Sequence, residues 1–238
     1  MFAEIYQTVL YQPIFNLLVF FYNLLGDTGV AIILLTIVIK IILSPFFVQS
    51  IKSQRAMQAI QPKLEALKEK YKDNKEKLGP AIMELYKKEK VSPFSSCLPL
   101  LIQLPFLIAV FQVFQKGLVD GSFNLLYPFI TNPGSLNPLA FGFLNVAQKN
   151  IPLAILAGLA QFWQSKMMLG KQQIKANQSP FASSMNKQMT YLMPLFTVFI
   201  GASLPAGLTL YWFLTTLLGA LQQLVIFKKL NKKEEIKS

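Results

Sequence analysis

The sequence predicts an all-α, polytopic membrane protein, and its composition, its apolar stretches and its charge clustering support that prediction. Hydrophobic residues make up 53% of the 238 residues and charged residues only 14%, whereas soluble proteins carry about 25% charged residues. Several apolar stretches approach the roughly 20 residues that a helix needs to cross about 30 Å of hydrocarbon. The charged residues are clustered between these stretches. One membrane domain therefore accounts for nearly the whole chain.

Residues 1–28 form the first predicted unit. Polar side chains interrupt the apolar stretch 1–25, and its uninterrupted part is only about a dozen residues long. This length favours a helix that lies in the interface on the outer face of the membrane over a helix that spans it. A shortened extra span is the alternative. Gly26, Asp27 and Gly29 break the helix. The interrupting residues are Glu4, Gln7, Gln12, Pro13, Asn16 and Asn23.

Residues 29–228 form the predicted core of five transmembrane helices. Prolines inside a membrane helix are tolerated when neighbouring groups satisfy the freed carbonyls, so Pro99 and Pro105 do not exclude a span. Only residues 204–207 separate the last two spans, which makes them antiparallel neighbours. The predicted spans are 29–48, ending near Pro45, then 95–116, 150–168, 188–203 and 207–227.

Residues 49–92, between the first two spans, are rich in Lys and Glu and carry apolar residues at helical spacing. This pattern predicts two amphipathic helices folded into a hairpin, with a turn near residues 72–76. The hairpin is either simply solvated or binds anionic lipid head groups or ribosomal RNA. A second polar segment, residues 169–186, forms another predicted loop.

Charge placement predicts the orientation in the membrane. Twenty of the 23 Lys and Arg residues lie in residues 49–92, 166–187 or 228–238. Since basic loops stay in the cytoplasm, we expect the hairpin, the 169–186 loop and the short basic tail 229–238 to be cytoplasmic, and the N-terminus to be outside. The predicted location is the bacterial cytoplasmic (inner) membrane. The net charge of +12 then comes from basic residues on the cytoplasmic side of the membrane, and no specific DNA partner is expected.

Lys40 is the most informative residue, because it sits alone in the apolar run 30–48. An ammonium at bilayer depth costs about 2.5–3.5 kcal/mol on insertion scales and by default marks a functional site. Thr36 lies one turn earlier on the same helix face. A structural role, with Lys40 holding a backbone carbonyl, is the alternative. Snorkelling is disfavoured by the distance to the cytoplasmic end.

Catalysis is poorly supported, and we expect no enzyme activity, no catalytic residues, no metal site and no cofactor. The chain has no His and one Cys, Cys97, so the usual nucleophilic and zinc-binding sets are missing. Gln103, Gln161 and Gln164 are hydrogen-bonding groups within the spans, either interhelical contacts or ligands of a polar segment. Tyr211 and Trp212 belong either to an aromatic belt at the membrane interface or to a surface along which the helix of a substrate protein, here called a client, slides.

Local motifs occur in the hairpin and at two of the predicted spans. They are 61–63 (QPK), 83–86 (MELY), 91–93 (VSP) leading to 97–105 (CLPLLIQLP), and 204–212 (LPAGLTLYW). The five spans are accompanied by a charged hairpin after the first span and by a lone intramembrane cation. In these motifs and in this order of elements, the chain resembles the YidC family of membrane protein insertases over about residues 25–230.

The resemblance implies a helical bundle around a hydrophilic groove that opens to the cytoplasm and the lipid. Lys40 occupies the position of the family's groove arginine, which keeps the charge but loses the planar fork of donors. Thr36 matches a groove threonine, and Trp212 matches an aromatic position implicated in client contact. Implied partners are nascent membrane proteins, the ribosome, the Sec translocon, a targeting receptor and membrane lipids.

Two other functions stay open at this point. A small transporter or lipid scramblase could use Lys40 to bind an anion, although the two halves show no repeat of the kind that transporters often carry. An assembly chaperone could pack spans without inserting them. The insertase prediction differs from both in requiring nascent chains to contact the Lys40 region during insertion.

Overall fold

The computed structural model describes residues 2–72, 74–92, 98–115, 123–169 and 188–235. The predicted loop 169–186 lies almost entirely outside these residues, as do Cys97 and the start of the second predicted span. Among the described helices, three are long and apolar enough to cross a membrane: Ala3–Leu25, Thr28–Lys70 and Ala206–Leu230, with Leu101–Phe114 as a shorter apolar helix. The described fold is all-α apart from one small β-hairpin, as predicted. The count of five spans stays a prediction.

The N-terminal segment is helical from its second residue. It consists of α1 (Phe2–Tyr6), a π-helical turn (Gln7–Tyr11) and α2 (Gln12–Leu25). Gly26 ends α2 with a left-handed φ of 72°, a conformation that glycine adopts without steric cost. Asp27 then caps the next helix, since its Oδ1 accepts a 2.9 Å hydrogen bond from the Val30 amide.

Helix α3 runs without interruption from Thr28 to Lys70, so the first predicted span and the first arm of the predicted hairpin lie on one continuous helix. A proline removes one backbone donor, and here two prolines, Pro45 and Pro62, are accommodated inside the helix. The break between hairpin arms falls where predicted: α4 spans Lys75–Lys88, and Asn74 caps it through a 3.1 Å bond from the Lys77 amide. A 2.6 Å ion pair between Lys63 and Glu89 joins the two arms.

The remaining helices complete the bundle. Between α5 and α6 lies a two-stranded antiparallel hairpin, β1 (Leu139–Ala140) and β2 (Leu144–Asn145). The helix that carries the fifth predicted span extends into the tail as far as Glu235. The helices are α5 (Leu98–Phe114), α6 (Ile151–Leu169), a π-helical turn (Gln188–Leu192), α7 (Met193–Ser203) and α8 (Ala206–Glu235).

The residues 204–207 close one end of the bundle by backbone pairing. The amides of Ala206 and Gly207 donate to the carbonyls of Gln148 and Val146 at 2.7 and 2.8 Å. At the same end, the Asp27 carboxylate accepts a 2.6 Å bond from the Phe141 amide. We call this end, which carries residues 123–149, the loop end, and the opposite end, which carries α4, the hairpin end. Helices α3 and α8 both begin at the loop end.

The core lies between α2, α3, α5 and α8, beneath the loop end. Helix α6 packs against α7 and α8 on one side. Large apolar side chains on the outer faces of the helices are exposed, including Phe199 at 72%, as expected where lipid replaces water. Fully buried core residues include Phe15, Leu18, Ile32, Leu35, Val110, Val113 and Tyr211.

We expect Gly158→Ala to destabilise the bundle and Gly79→Ala to leave its stability nearly unchanged. A Cβ on Gly158 of α6 would clash with Val198 Cγ2 and lie 3.1 Å from the Pro194 carbonyl of α7, an overpacking that costs about 1–3 kcal/mol. Outside its chain neighbours, Gly79 of α4 has no atom within 4 Å of such a Cβ, and the helix propensity that alanine gains there is offset by crowding against the ring of Pro80. Unfolding midpoints in detergent micelles measure both. An unchanged midpoint for Gly158→Ala would contradict the close α6–α7 approach.

Candidate functional site

Lys40 lies about three turns into α3, and its ammonium contacts an aromatic ring. The Nζ atom stands 4.1 Å from the centroid of the Phe47 ring, a cation–π distance. Within the described residues, no carboxylate pairs with Lys40. A charge held in this way has a solvation deficit that a ligand or water can relieve.

Three helices meet around this ammonium. A Cβ placed on Gly219 of α8 would lie 3.4 Å from Lys40 Nζ and 2.9 Å from the side-chain amide nitrogen of Gln164 in α6. The Lys40 and Gln164 side chains therefore converge on one point beside the α8 backbone. Gly219 leaves that point empty, so both polar groups can approach the helix closely.

Further polar contacts extend the site along α8 in both directions. Toward the hairpin end, Gln222 Nε2 donates a 3.0 Å hydrogen bond to the Ser44 hydroxyl, one turn after Lys40 on α3. Toward the loop end, Gln103 Nε2 of α5 donates a 2.8 Å bond to the Tyr211 hydroxyl. A polar stripe therefore runs along α8, marked by Tyr211, Gly219 and Gln222. From Tyr211 to Gln222 the stripe is roughly 16 Å long at 1.5 Å per residue.

The predicted site residues differ in their accessibility. Thr36 is fully buried, and its hydroxyl donates a 2.6 Å bond to the Ile32 carbonyl of its own helix. Tyr211 is also fully buried. Lys40, Gln164, Gln161 and Trp212 are partly exposed, as is Gln103. The Gln161 and Trp212 side chains form no hydrogen bond to another described residue.

Three residues of this site were not predicted as functional: Gly219, Phe47 and Ser44. Gly219 had a usable signal, because a glycine in a helix interior costs about 1 kcal/mol relative to alanine and in membrane helices often marks a close approach. Ser44 follows Lys40 at the four-residue spacing that keeps side chains on one face. Phe47 has no such signal, since phenylalanine is common throughout the chain.

The site's chemistry is donation of hydrogen bonds next to a positive charge. Lys40 contributes donors and no acceptor, and the amide nitrogen of Gln164, nearer than its Cδ at 4.0 Å, points toward the same place. Such an arrangement suits an anionic or carbonyl-bearing ligand. Among the described residues, no group of three His, Cys, Asp or Glu side chains could hold a metal ion.

Comparison with known proteins points to one family. The family model described as 60Kd inner membrane protein matches residues 20–234. "Membrane protein insertase YidC" of Fusobacterium nucleatum is 34% identical over 204 residues, covering 86% of this chain and 88% of that protein. The same-named protein of Pelobacter propionicus is 36% identical over 226 residues, covering 94% of this chain.

A solved structure shares the fold. The crystal structure described as an active YidC insertase with the first transmembrane domain resolved matches 89% of this chain, with a TM-score of 0.56 and 25% identity. This chain spans 45% of that crystallised chain and 39% of the Pelobacter protein. Residues 20–234, which the family model matches, include Lys40, Gln164 and Gly219.

Proposed function

This chain belongs to the 60Kd inner membrane protein family, and we propose that it inserts newly made membrane proteins into the bacterial inner membrane. The family match and the insertase names of relatives that cover most of the chain support this proposal. Within the molecule, the observation that best supports this function is the Lys40 ammonium, which pairs with no carboxylate among the described residues and has the Gln164 amide beside it. Inserting a membrane protein makes and breaks no covalent bond, so this function needs no catalytic residues, and the sequence predicts none.

The proposed mechanism uses the polar stripe as a hydrophilic groove. A client's short polar segment would enter beside α8 and exchange water for the donors of Lys40, Gln164, Gln161 and Gln103. The field of Lys40 is strong there because the surrounding dielectric is low. The client's apolar helix would then pass Trp212 into lipid, driven by burial of about 25 cal/mol per Å². The buried side chains of Thr36 and Tyr211 would pack beneath these groups and hold them in place. The proposed mechanism requires no nucleotide or cofactor.

The proposed orientation places the loop end outside the cell and the hairpin end in the cytoplasm. The basic residues of the hairpin and tail support it. We also propose that residues 1–28 lie on the outer face. The Tyr6 hydroxyl donates to Gln112 near the end of α5, and the Asn23 amide donates to the Thr131 carbonyl. Both ends of this segment therefore contact the loop end, as a helix lying across that end requires.

The proposed division has three parts: this outer-face segment, the insertase core 29–228 and the basic tail 229–238. The ribosome, a targeting receptor and anionic lipids are proposed partners of the hairpin and tail, because their lysines attract phosphate groups. The Sec translocon is a proposed partner for clients that the chain does not insert alone.

Site-specific photocrosslinking tests the function. We expect photoreactive residues at Gln161 and Trp212 to capture ribosome-bound nascent chains of a single-span protein with an acidic outer segment. Capture should depend on nascent-chain length. The matched control is Phe199, which is 72% exposed on the outer face of α7 and should crosslink lipid at every length. Folded protein that captures no nascent chain at either site position would favour small-molecule transport instead, and capture without insertion into translocon-free vesicles would favour an assembly chaperone.

A further inference from the structure

We propose that Phe129 and Phe143 anchor the loop end in the phospholipid bilayer, with their rings between the lipid carbonyl groups and the upper acyl chains. This lipid contact goes beyond the proposed insertion of clients and does not involve Lys40. Among the described residues, these two are the most exposed of the large apolar side chains, at 80% and 79%. Exposed apolar surface of this kind marks a site that binds protein or membrane.

The contacts of the β-hairpin place Phe143 at the level where two membrane helices begin. A Cβ on Gly29 would lie 2.5 Å from the Phe141 ring, so this ring packs directly on the second residue of α3. The Val146 carbonyl, just after β2, accepts a 2.8 Å bond from the amide of Gly207, the second residue of α8. Because α3 and α8 are long and apolar enough to cross a membrane, the β-hairpin lies at the edge of the bilayer.

The turn of the β-hairpin holds Phe143 outward. Phe141 has a φ of 53°, a left-handed conformation that few residues other than glycine adopt, and Gly142 follows with a φ of 76°. The Phe141 amide is fixed by its 2.6 Å bond to the Asp27 carboxylate. Strained backbone of this kind persists where the surrounding structure enforces it, and it often serves a function. Here it turns one aromatic ring onto α3 and leaves the next one outside.

Phe129 is held in a similar way against α2. The Tyr127 amide donates to Asn16 Oδ1 at 2.6 Å, and Asn23 Nδ2 donates to the Thr131 carbonyl at 2.7 Å. The chain is therefore tied to one helix on both sides of Phe129. The Tyr127 ring stacks on the Phe129 ring, with 5.4 Å between centroids. Helix α2 exposes further large apolar side chains beside this segment.

The sequence around the two rings favours lipid over water or a protein partner. Residues 123–148 contain no Asp, Glu, Lys or Arg, whereas soluble proteins carry about 25% charged residues. A protein interface has a polar, solvent-accessible rim in which charged residues are common. A segment at the headgroup and acyl boundary instead buries its apolar side chains in lipid, where a charge is costly. A charge-free segment with projecting phenylalanines fits that boundary.

Depth-dependent fluorescence quenching tests the anchor. Phe143→Cys or Phe129→Cys, in a Cys97→Ala background, carries an environment-sensitive dye in vesicles of phosphatidylcholine that contain nitroxide-labelled lipid. With the nitroxide near the lipid carbonyls, we expect quenching at least about threefold stronger at both positions than at Ser135. Ser135 is exposed on the same loop and has no apolar side chain to insert. Phe199→Cys, on the outer face of α7, is the control for a residue in contact with lipid.

A second measurement tests the native rings, with the dye moved to Leu139 of β1, which is 43% exposed. Replacing Phe129 and Phe143 together by Ser should lower lipid quenching at this position by about half, whereas replacing both by Trp, which favours the interface, should preserve it. Unchanged quenching in folded double-serine protein would overturn the proposal. So would dyes at positions 129 and 143 that aqueous iodide quenches as strongly as the dye at Ser135, a result that would favour a protein partner.

Discussion

Lys40→Met is expected to lower insertion of a client with an acidic outer segment by roughly tenfold, which corresponds to about 1.4 kcal/mol. A carboxylate about 4 Å from an ammonium gains about 4 kcal/mol at an effective dielectric of 20, and water in the site screens part of this. The variant protein should be at least as stable as wild type. Methionine removes an ammonium that pairs with no carboxylate among the described residues, while a chain of similar length still packs on Phe47.

The opposite signs of these two effects make the result specific. A structural lysine, lost to methionine, would lower stability and insertion of every client alike. Lys40→Arg is the matched control, since it keeps the charge, and a client with a neutral outer segment is the second control. Insertion is measured in proteoliposomes and stability by unfolding in detergent. If Lys40→Met inserts the acidic client as fast as wild type does, or slows both clients by the same factor, the charge of Lys40 has no role in the mechanism.

The sequence predicts the helical elements well where local chemistry decides them. The hairpin break is an example, because Asp73 and Asn74 interrupt an amphipathic pattern and Asn74 caps α4. The continuity of α3 through Pro45 was missed, because a proline signals a lost donor but not whether tertiary contacts tolerate it. The small β-hairpin at residues 139–145 was missed as well, since two-residue strands carry no periodic signal.

The candidate site was predictable only one helix at a time. Lys40 is conspicuous as the one charge in its apolar run, and Gln164 as a polar residue in another. Their meeting at Gly219 depends on how α3, α6 and α8 are rotated and shifted against one another. That register comes from packing of side chains far apart in sequence, such as Ile32, which approaches Gly207. No local pattern contains it.

The N-terminal segment shows how a correct observation supports more than one interpretation. Its interrupting polar residues leave an uninterrupted apolar part of only about a dozen residues, which favours an interfacial helix over a span. Several of these polar residues bind protein. Gln12 Nε2 and Asn16 Nδ2 both donate to the Leu125 carbonyl, at 3.2 and 2.8 Å. Their polarity therefore reflects contact with the loop. The proposed position of the segment on the outer face is supported by the contacts that its two ends make, through Tyr6 and Asn23.

Asn16→Ala is expected to destabilise the protein, because it removes a buried amide that bonds to three backbone groups. Asn16 is 2% exposed; its Nδ2 donates to the carbonyls of Gln12 and Leu125 at 2.8 Å, and its Oδ1 accepts a 2.6 Å bond from the Tyr127 amide. Alanine leaves the Tyr127 amide without this acceptor, at a cost of about 1–3 kcal/mol. The Leu125 carbonyl keeps its bond from Gln12, so the loss should stay within that range.

Asn23→Ala is the matched control for this loss. Asn23 lies on the same helix and also donates to a loop carbonyl, that of Thr131 at 2.7 Å, but its side chain is exposed. Water replaces that bond, so the free energy of unfolding should change by less than about 1 kcal/mol. Unfolding in mixed micelles compares the two variants. If they lose equal stability, burial of the Asn16 amide does not anchor the N-terminal segment, and the apolar stacking of Tyr11, Phe15 and Phe123 must hold it instead.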